Sequence, residues 1–448
     1  MGQVKLIWYT LRGIIYSVLG SNWEALLNSF TVFNSTKLEV CRICGERDLA
    51  ELIDLGHQPP SNSFLGLDEI GQEKKFPLIV KFCNKCSLAQ LSEVVSEIEI
   101  FTKYAYRSSS SRALFQSFKD LATNVEDLSS SLGNSNDTVY DLGCNDGLAL
   151  EQYDNNNFNL IGVEPSDIGL IAKTKGFKIY NEFFGTKLVD ELIEDNGKAD
   201  FITTSNVLAH VPDISDFVFG VKNLLKDTGV WIIEFPYLYD LFENNCFDTI
   251  YHEHMSYLSL TPLTLAFGFA DLEIFNVQKK EIGGSGPYLR VYVKKKTNDL
   301  FKVTDSVDYF INLEKIYKFS SLIDNDIFSK RIYRLLDVLR EQINLLHKSG
   351  LRIGAFGAPA KGNTLLNSLG LGSEVIVAAA DNTSEKIGLL TPGMHIPVVS
   401  DKEFMNLKID AAILLSWNYL SYFQSNSTFF LNGGKFINPF PYPRVLKK

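Results

Sequence analysis

The chain has 448 residues, 45% of them hydrophobic, and a formal net charge of −10. That length exceeds the size at which a single core stops growing, so two or three domains are expected. The acidic balance, with a pI near 5.3, argues against non-specific nucleic-acid binding, because no basic field would draw phosphates.

Residues 1–38 form an apolar and aromatic extension. Lys5, Arg12 and Gly13 interrupt its hydrophobic run well short of the ~18 clean residues a spanning helix needs, so no clear membrane span is expected. No small-residue cleavage site of a signal peptide follows. An amphipathic contact helix and an unneeded upstream extension both fit it. Residues 39–100 then carry Cys41-Arg-Ile-Cys44 and Cys83-Asn-Lys-Cys86, four of the six cysteines, around Gly56-His-Gln-Pro-Pro60. Each pair can form one knuckle of a tetrahedral four-thiolate site, with Gly45 supplying the turn after the first. Four ligands leave no open position, so structural zinc is expected, serving folding and not catalysis; free thiols or redox use are the alternatives. Such spacing suits a reduced, cytoplasmic protein better than a disulfide scaffold.

Residues 101–300 alternate strand and helix signals. Thr138-Val-Tyr-Asp-Leu142, Leu160-Ile-Gly-Val163, Asp200-Phe-Ile-Thr-Thr204 and Val230-Trp-Ile-Ile-Glu234 are short apolar runs of the kind a doubly wound parallel sheet requires. Leu272–Asn276 and Leu289–Val293 read as a closing antiparallel pair. The first strand runs into Asp141-Leu-Gly143-Cys-Asn145-Asp146-Gly147, where glycines let backbone approach a ligand closely. The spacing is G-x-x-x-G rather than the G-x-G-x-x-G of a pyrophosphate-binding turn. With Glu164 ending the next strand, 23 residues after Asp141, it favours S-adenosylmethionine over a nicotinamide cofactor. Asn206-Val-Leu-Ala-His210 leaves a third strand on the same expected rim, although a satisfied core histidine would look the same.

Tyr251-His252-Glu253-His254 follows the fourth strand and gathers two of the chain's six histidines with a carboxylate and a phenol. That density of proton-transfer groups points to a reaction, the alternative being a polar surface loop. Residues 301–448 open with helical spacing to about 349, then repeat strand and helix from Leu351–Phe356 through Val375–Ala380 and Ala411–Leu415 to Lys435–Ile437. Here Gly354-Ala-Phe-Gly357-Ala-Pro-Ala-Lys361-Gly-Asn363-Thr364 joins strand to helix, and Asp381 ends the next strand as Glu164 does in the first unit. Exposed amides and one lysine make an anion cradle; a tight structural turn is the alternative, and a Walker A loop is excluded by the spacing.

Both cysteine pairs, Tyr104-Ala-Tyr106-Arg-Ser-Ser109, the Asp141–Gly147 loop, Asn206–His210, Tyr251–Tyr257, Gly354–Thr364, Trp417-Asn418 and Gly434–Ile437 occur in that order. From Cys41 to about Pro441 the chain resembles the S-adenosylmethionine-dependent sugar C-methyltransferases acting on nucleotide-linked 4-keto deoxysugars. The resemblance implies an α/β architecture: a small zinc-binding module, a class I methyltransferase Rossmann-like domain and a second Rossmann-like C-terminal domain, with a sugar nucleotide between the last two. It implies methylation of carbon 3 beside the ketone, with His254 as base, Glu253 orienting or sharing its proton, and Tyr251, His210 and Tyr104 or Tyr106 positioning sugar or oxyanion. It further implies a donor site at Asp141, Gly143, Asn145, Asp146, Gly147, Glu164 and Asn206, and substrate contacts at Lys361, Asn363, Tyr257 and Arg290. His252 is left without a role. Two features depart from the family pattern: the apolar extension, and Gly284-Ser285-Gly286-Pro287-Tyr288 where Gly-Gly-Ser often directly precedes Leu-Arg, here Leu289-Arg290. An O-methyltransferase, a non-catalytic sugar-nucleotide-binding protein and an NAD-dependent oxidoreductase are the competing readings.

Overall fold

The computed structural model describes residues 35–96, 100, 107–110, 112–133, 136–154, 156–281, 286–324 and 326–448. Tyr104, Tyr106, the Gly284-Ser285 pair and nearly all of the apolar extension lie outside the described residues. Among the described residues no helix is long and apolar enough to cross a membrane.

In the cysteine-bearing module, β1 (Ser35–Lys37) pairs with β5 (Glu93–Val95), and β2 (Leu49–Gln58), β3 (Phe76–Cys83) and β4 (Ala89–Leu91) form an antiparallel sheet. Along β3, Phe76, Leu78, Val80 and Phe82 are buried while Pro77, Ile79 and Lys81 are half-buried, the period of two of a sheet with one covered face. The sheet is completed from far along the chain: β11 (Ser256–Tyr257) pairs with β4, bringing the end of the Tyr251 cluster onto the module.

The central sheet contains β6 (Asp137–Leu142), β7 (Phe158–Val163), β8 (Lys178–Tyr180), β9 (Ala199–Ser205), β10 (Leu225–Pro236), β12 (Leu272–Lys280) and β13 (Tyr288–Lys295). Their order is β12-β13-β10-β9-β6-β7-β8; β6 to β10 run parallel, and β13 lies antiparallel between β10 and β12. Both faces are covered. Val230 and Ile232 enter one core with Leu121 and Val125, whereas Trp231 and Ile233 enter another with Phe217 and Phe267, which is why this strand reads as an unbroken apolar run. The three residues of β8 were not legible as a strand, being too few to display a period.

The C-terminal sheet has the order β16-β15-β14-β17-β18-β19, from β14 (Ile353–Phe356), β15 (Ile376–Ala380), β16 (Val398–Val399), β17 (Ala411–Leu414), β18 (Lys435–Asn438) and β19 (Arg444–Leu446). All neighbours are parallel except β19. The intervening helices Asp305–Tyr317, Phe319–Asp324 and Ile327–Lys348 do more than connect. Phe328, Ile332, Leu335, Leu339 and Ile343 form a helical stripe that shares one core with Leu52 and Phe82 of the module, Phe242 and Phe247, and Leu365 and Ile413 of the C-terminal unit. In each Rossmann-like sheet the strand order reverses beside its first strand, leaving a crevice at the carboxyl ends. Gly143 and Asn206 mark that crevice in the central sheet, Gly357 and Ser416 in the C-terminal one, and all four line a single cleft.

Candidate active site

The four cysteine sulfurs lie within 4.8 Å of one another and are unbridged, with Cys41 to Cys86 at 3.4 Å and Cys44 to Cys83 at 3.5 Å. A tetrahedral zinc with bonds of about 2.3 Å requires sulfurs about 3.8 Å apart, so the set fits one ion. Both knuckles turn through a left-handed residue, Gly45 and Ser87, whose amides donate to the Cys41 and Cys83 carbonyls at 2.9 Å. Within the coupled Cys41–Cys86 pair the Cys86 thiol and nearby amides lower Cys41 against the effect of burial, while Cys41 and burial raise Cys86. Arg42, inside the first knuckle, donates to Ser256 Oγ at 2.6 Å, to the Pro212 carbonyl at 2.7 Å and to the Val211 carbonyl. The module thus grips the loops that carry His210 and His254.

The cleft has a volume of about 1870 Å³ and takes walls from all three units. On the central sheet, Gly143, Asn145, Glu164 and Asn206 line it beside Phe183 and Phe184. Gly143 has φ +80°, and a Cβ there would meet Val207 Cγ2 at 2.3 Å, so the glycine permits the turn to close on its own neighbour. Glu164 accepts from the Asn145 amide at 3.0 Å on Oε2 and from the Ser166 amide and hydroxyl at 2.9 and 2.6 Å on Oε1, which fixes its carboxylate at the rim with acceptor capacity left on Oε2 for a ligand hydroxyl. A carboxylate, an aromatic wall and a backbone turn fit a nucleoside with a cationic sulfonium.

At the centre, His254 Nδ1 lies 2.8 Å from the Thr249 carbonyl, which can only accept, so Nδ1 carries the proton. Its Nε2 then accepts from the Tyr251 hydroxyl at 2.7 Å. Burial and the neighbouring His210 push His254 down to about 3, so the ring is neutral at physiological pH. His210 stands edge-on to it at 4.8 Å between centroids, itself lowered to about 4 by burial. Glu253 points elsewhere: its Oε1 accepts from Asn62 Nδ2 at 2.6 Å, and burial raises it to about 7 against Asn62 and the charge of Lys386. His252 turns back onto the module, Nε2 3.3 Å from the Phe76 carbonyl, and does not line the cleft.

On the opposite wall, Lys361 Nζ donates to Asn418 Oδ1 at 2.6 Å and lies 4.0 Å from the centre of the Trp417 ring. Burial lowers Lys361 to about 8, opposed by Asp248, which accepts from Trp417 Nε1 at 2.7 Å. The turn before it is occupied in part: the Ala358 amide donates to Asp381 at 2.8 Å.

The cleft therefore gathers Gly143, Asn145, Glu164, Asn206, His210, Tyr251, Glu253, His254 and Lys361 from the sites expected on the sequence. Other expected residues stand behind its walls. Asp141 accepts from Thr203 Oγ1 at 2.8 Å, Asp146 accepts from the Ser109 amide at 3.1 Å, and Gly147 packs on Ala172. Arg290 is fully buried between Glu234 and Asp120, 2.7 Å from each. Asn363 donates to the Ser61 carbonyl at 2.7 Å as a joint between units, and Tyr257 belongs to β11 and is buried beneath the cluster. Asn62 and Lys386 were not anticipated. Neither belongs to a spacing pattern, and only the packing of three units turns them inward.

Comparison with known proteins finds three family matches in succession along the chain. Residues 41–101 match a family described as "Putative zinc binding domain", residues 114–277 a "Methyltransferase domain", and residues 282–441 a "C-methyltransferase C-terminal domain". The chain is 31% identical over 413 residues to C-methyltransferase NovU of Streptomyces niveus, covering 91% of this chain and 97% of that protein. A ubiquinone biosynthesis O-methyltransferase of Rhodopseudomonas palustris is 27% identical over 96 residues, 21% of this chain and 38% of its own. Among solved structures, an S-adenosylmethionine-dependent methyltransferase from Clostridium acetobutylicum aligns with a TM-score of 0.31 at 14% identity, over 40% of this chain and 92% of that one. On the near full-length match to NovU and the three domain families in sequence, this chain belongs to the S-adenosylmethionine-dependent C-methyltransferases that carry an N-terminal zinc-binding module and a C-methyltransferase C-terminal domain.

Proposed function

We propose that the enzyme methylates carbon 3 of a nucleotide-linked 4-keto deoxysugar by base-assisted enolisation, in the biosynthesis of branched deoxysugars. The observation that carries this reading is the Tyr251 to His254 hydrogen bond of 2.7 Å, set in a cleft between two Rossmann-like crevices. A single small-ligand site occupies roughly 300–1,000 Å³, so about 1870 Å³ has room for a methyl donor and a second, nucleotide-sized molecule. Asn145, Glu164 and Asn206 would hold the donor, and Lys361 with the helix beginning at Ala360 would meet the phosphates.

A tyrosine hydroxyl has one proton to donate. When a ketone oxygen takes the Tyr251 proton as hydrogen bond, the lone pair of His254 Nε2 is uncovered, so polarising the carbonyl and releasing the base become one event. His254 then removes the acidic proton on the adjacent carbon, and ionised Glu253, next to it in the chain, would offset the charge this creates in the cleft. S-adenosylmethionine, when bound, supplies the methyl group as a sulfonium substituent that the enolate carbon can attack. A panel of 4-keto nucleotide sugars in deuterated water, with and without donor, tests this by NMR. Deuterium at carbon 3 and a new C-methyl signal are expected; an O-methyl product, or neither exchange nor transfer across the panel, would refute it.

A further inference from the structure

Glu253 belongs by sequence to the methyltransferase domain, but both groups that hold its charge come from elsewhere. Asn62, on the loop between β2 and β3 of the zinc-binding module, donates Nδ2 to Oε1 at 2.6 Å. Lys386, on the loop after β15 of the C-terminal unit, lines the same cleft and lies 5.2 Å from the centre of the Phe64 ring, two residues beyond Asn62. Leu65 and Leu390 form a backbone bridge between the same two loops, with amide-to-carbonyl distances of 3.1 and 2.9 Å. Lys386 Nζ donates to the Ala358 carbonyl at 2.9 Å and stands 3.9 Å from Asp381 Oδ2, leaving donor capacity toward the cleft. The other titratable groups around the carboxylate are His252, His254 and Tyr251 on its own segment, and His210 across from His254; Asp381 and Glu385 act on Lys386 from behind.

We propose that Asn62 and Lys386 are positioning residues for Glu253, so that its carboxylate is held in reacting form only when the zinc-binding module and the C-terminal unit are both docked on the methyltransferase domain. This rests on the reading of Glu253 and His254 as the proton-transfer site. A hydrogen bond to the ionised form and the positive charge of Lys386 in the same cleft both favour the carboxylate; deleting either leaves the buried group easier to protonate. Each unit supplies one of the three side chains and lacks the other two, so misdocking of either neighbour would favour the protonated, neutral form of Glu253.

The test is an NMR titration of the full-length protein labelled with [5-13C]glutamate, the Glu253 signal being assigned by its loss in Glu253→Gln. In the native protein the midpoint is expected near 7. In Asn62→Ala and in Lys386→Met it should move alkaline by about one pH unit, and in Lys386→Arg it should return toward the native value. Asn62→Asp, nearly isosteric and so the safer variant for folding, should also move it alkaline because two carboxylates then share the site. In methyl-transfer assays, kcat should fall at neutral pH and recover at alkaline pH, with KM for S-adenosylmethionine unchanged. A midpoint unmoved in both Asn62→Asp and Lys386→Met overturns the assignment. Full turnover by Glu253→Gln, with the titration shifts present, would instead refute the proton-transfer reading and leave the positioning of Glu253 standing.

Discussion

The proton on His254 Nδ1 is fixed by a carbonyl, so the tautomer is chosen before any substrate arrives. His254→Asn keeps the donor to Thr249 and removes the acceptor facing Tyr251. Turnover should fall about 10²- to 10⁴-fold, the usual contribution of a general base, while calorimetry finds donor affinity unchanged. Glu253 titrates near 7 and His254 near 3, so the acid limb of the kcat profile belongs to Glu253: activity rises as pH passes 7 and is lost below it. Glu253→Gln should abolish that limb. The same shift has a sign in stability. A carboxyl raised in the fold contributes stability present below its unfolded value of about 4.3 and lost as pH rises through about 7. Thermal melts should therefore find Glu253→Gln gaining on the native protein between pH 5 and pH 8, and an unchanged difference would contradict the buried-carboxylate account.

Among the elements, the turn after β6 and the two cysteine knuckles are the sharpest tests. At Gly143, φ +80° and a 2.3 Å approach to Val207 leave no room for a side chain. Gly143→Ala should weaken S-adenosylhomocysteine binding by roughly tenfold or more, a left-handed alanine alone costing about 1–2 kcal/mol, and Val207→Ala in the same chain should restore part of it. The knuckles hold β3 and β4 in register, β4 receives β11, and Arg42 clamps the His210 loop. Cys83→Ser, or chelation, should thus lower thermal stability and turnover together, with zinc restoring both after chelation. Retention of full activity with all zinc removed, measured by atomic absorption, would mean that these loops stand without the module.

Across the whole molecule, the core around Phe242, Phe328 and Leu365 belongs to no single unit. A fragment of residues 112–300 would expose the inner faces of Leu238, Phe242, Phe247 and Ile250 and leave β11 without its partner β4. It should lack a cooperative melting transition, and a sharp one would show that the methyltransferase domain folds unaided. The longer strands of the two Rossmann-like sheets, the cysteine knuckles and the residue types of the Tyr251 cluster were legible in the sequence because each depends on local periodicity, spacing or residue type. Asp141 and Arg290 looked like binding residues for the same reason: charge next to a glycine turn or a strand is visible, but whether it faces ligand or an internal partner such as Thr203 or Glu234 is not.

What the sequence determined by itself was the chemistry available: four thiols at metal spacing, a donor turn ending in Glu164, and Tyr251, Glu253 and His254 within four residues. Only the tertiary structure decided how those groups are used. It paired His254 with Tyr251, gave Glu253 to Asn62 and Lys386, and returned His252 to the module. The reason is physical: local pattern fixes which face of an element is apolar, whereas the burial and partners of a charged group depend on surfaces contributed by residues hundreds of positions away.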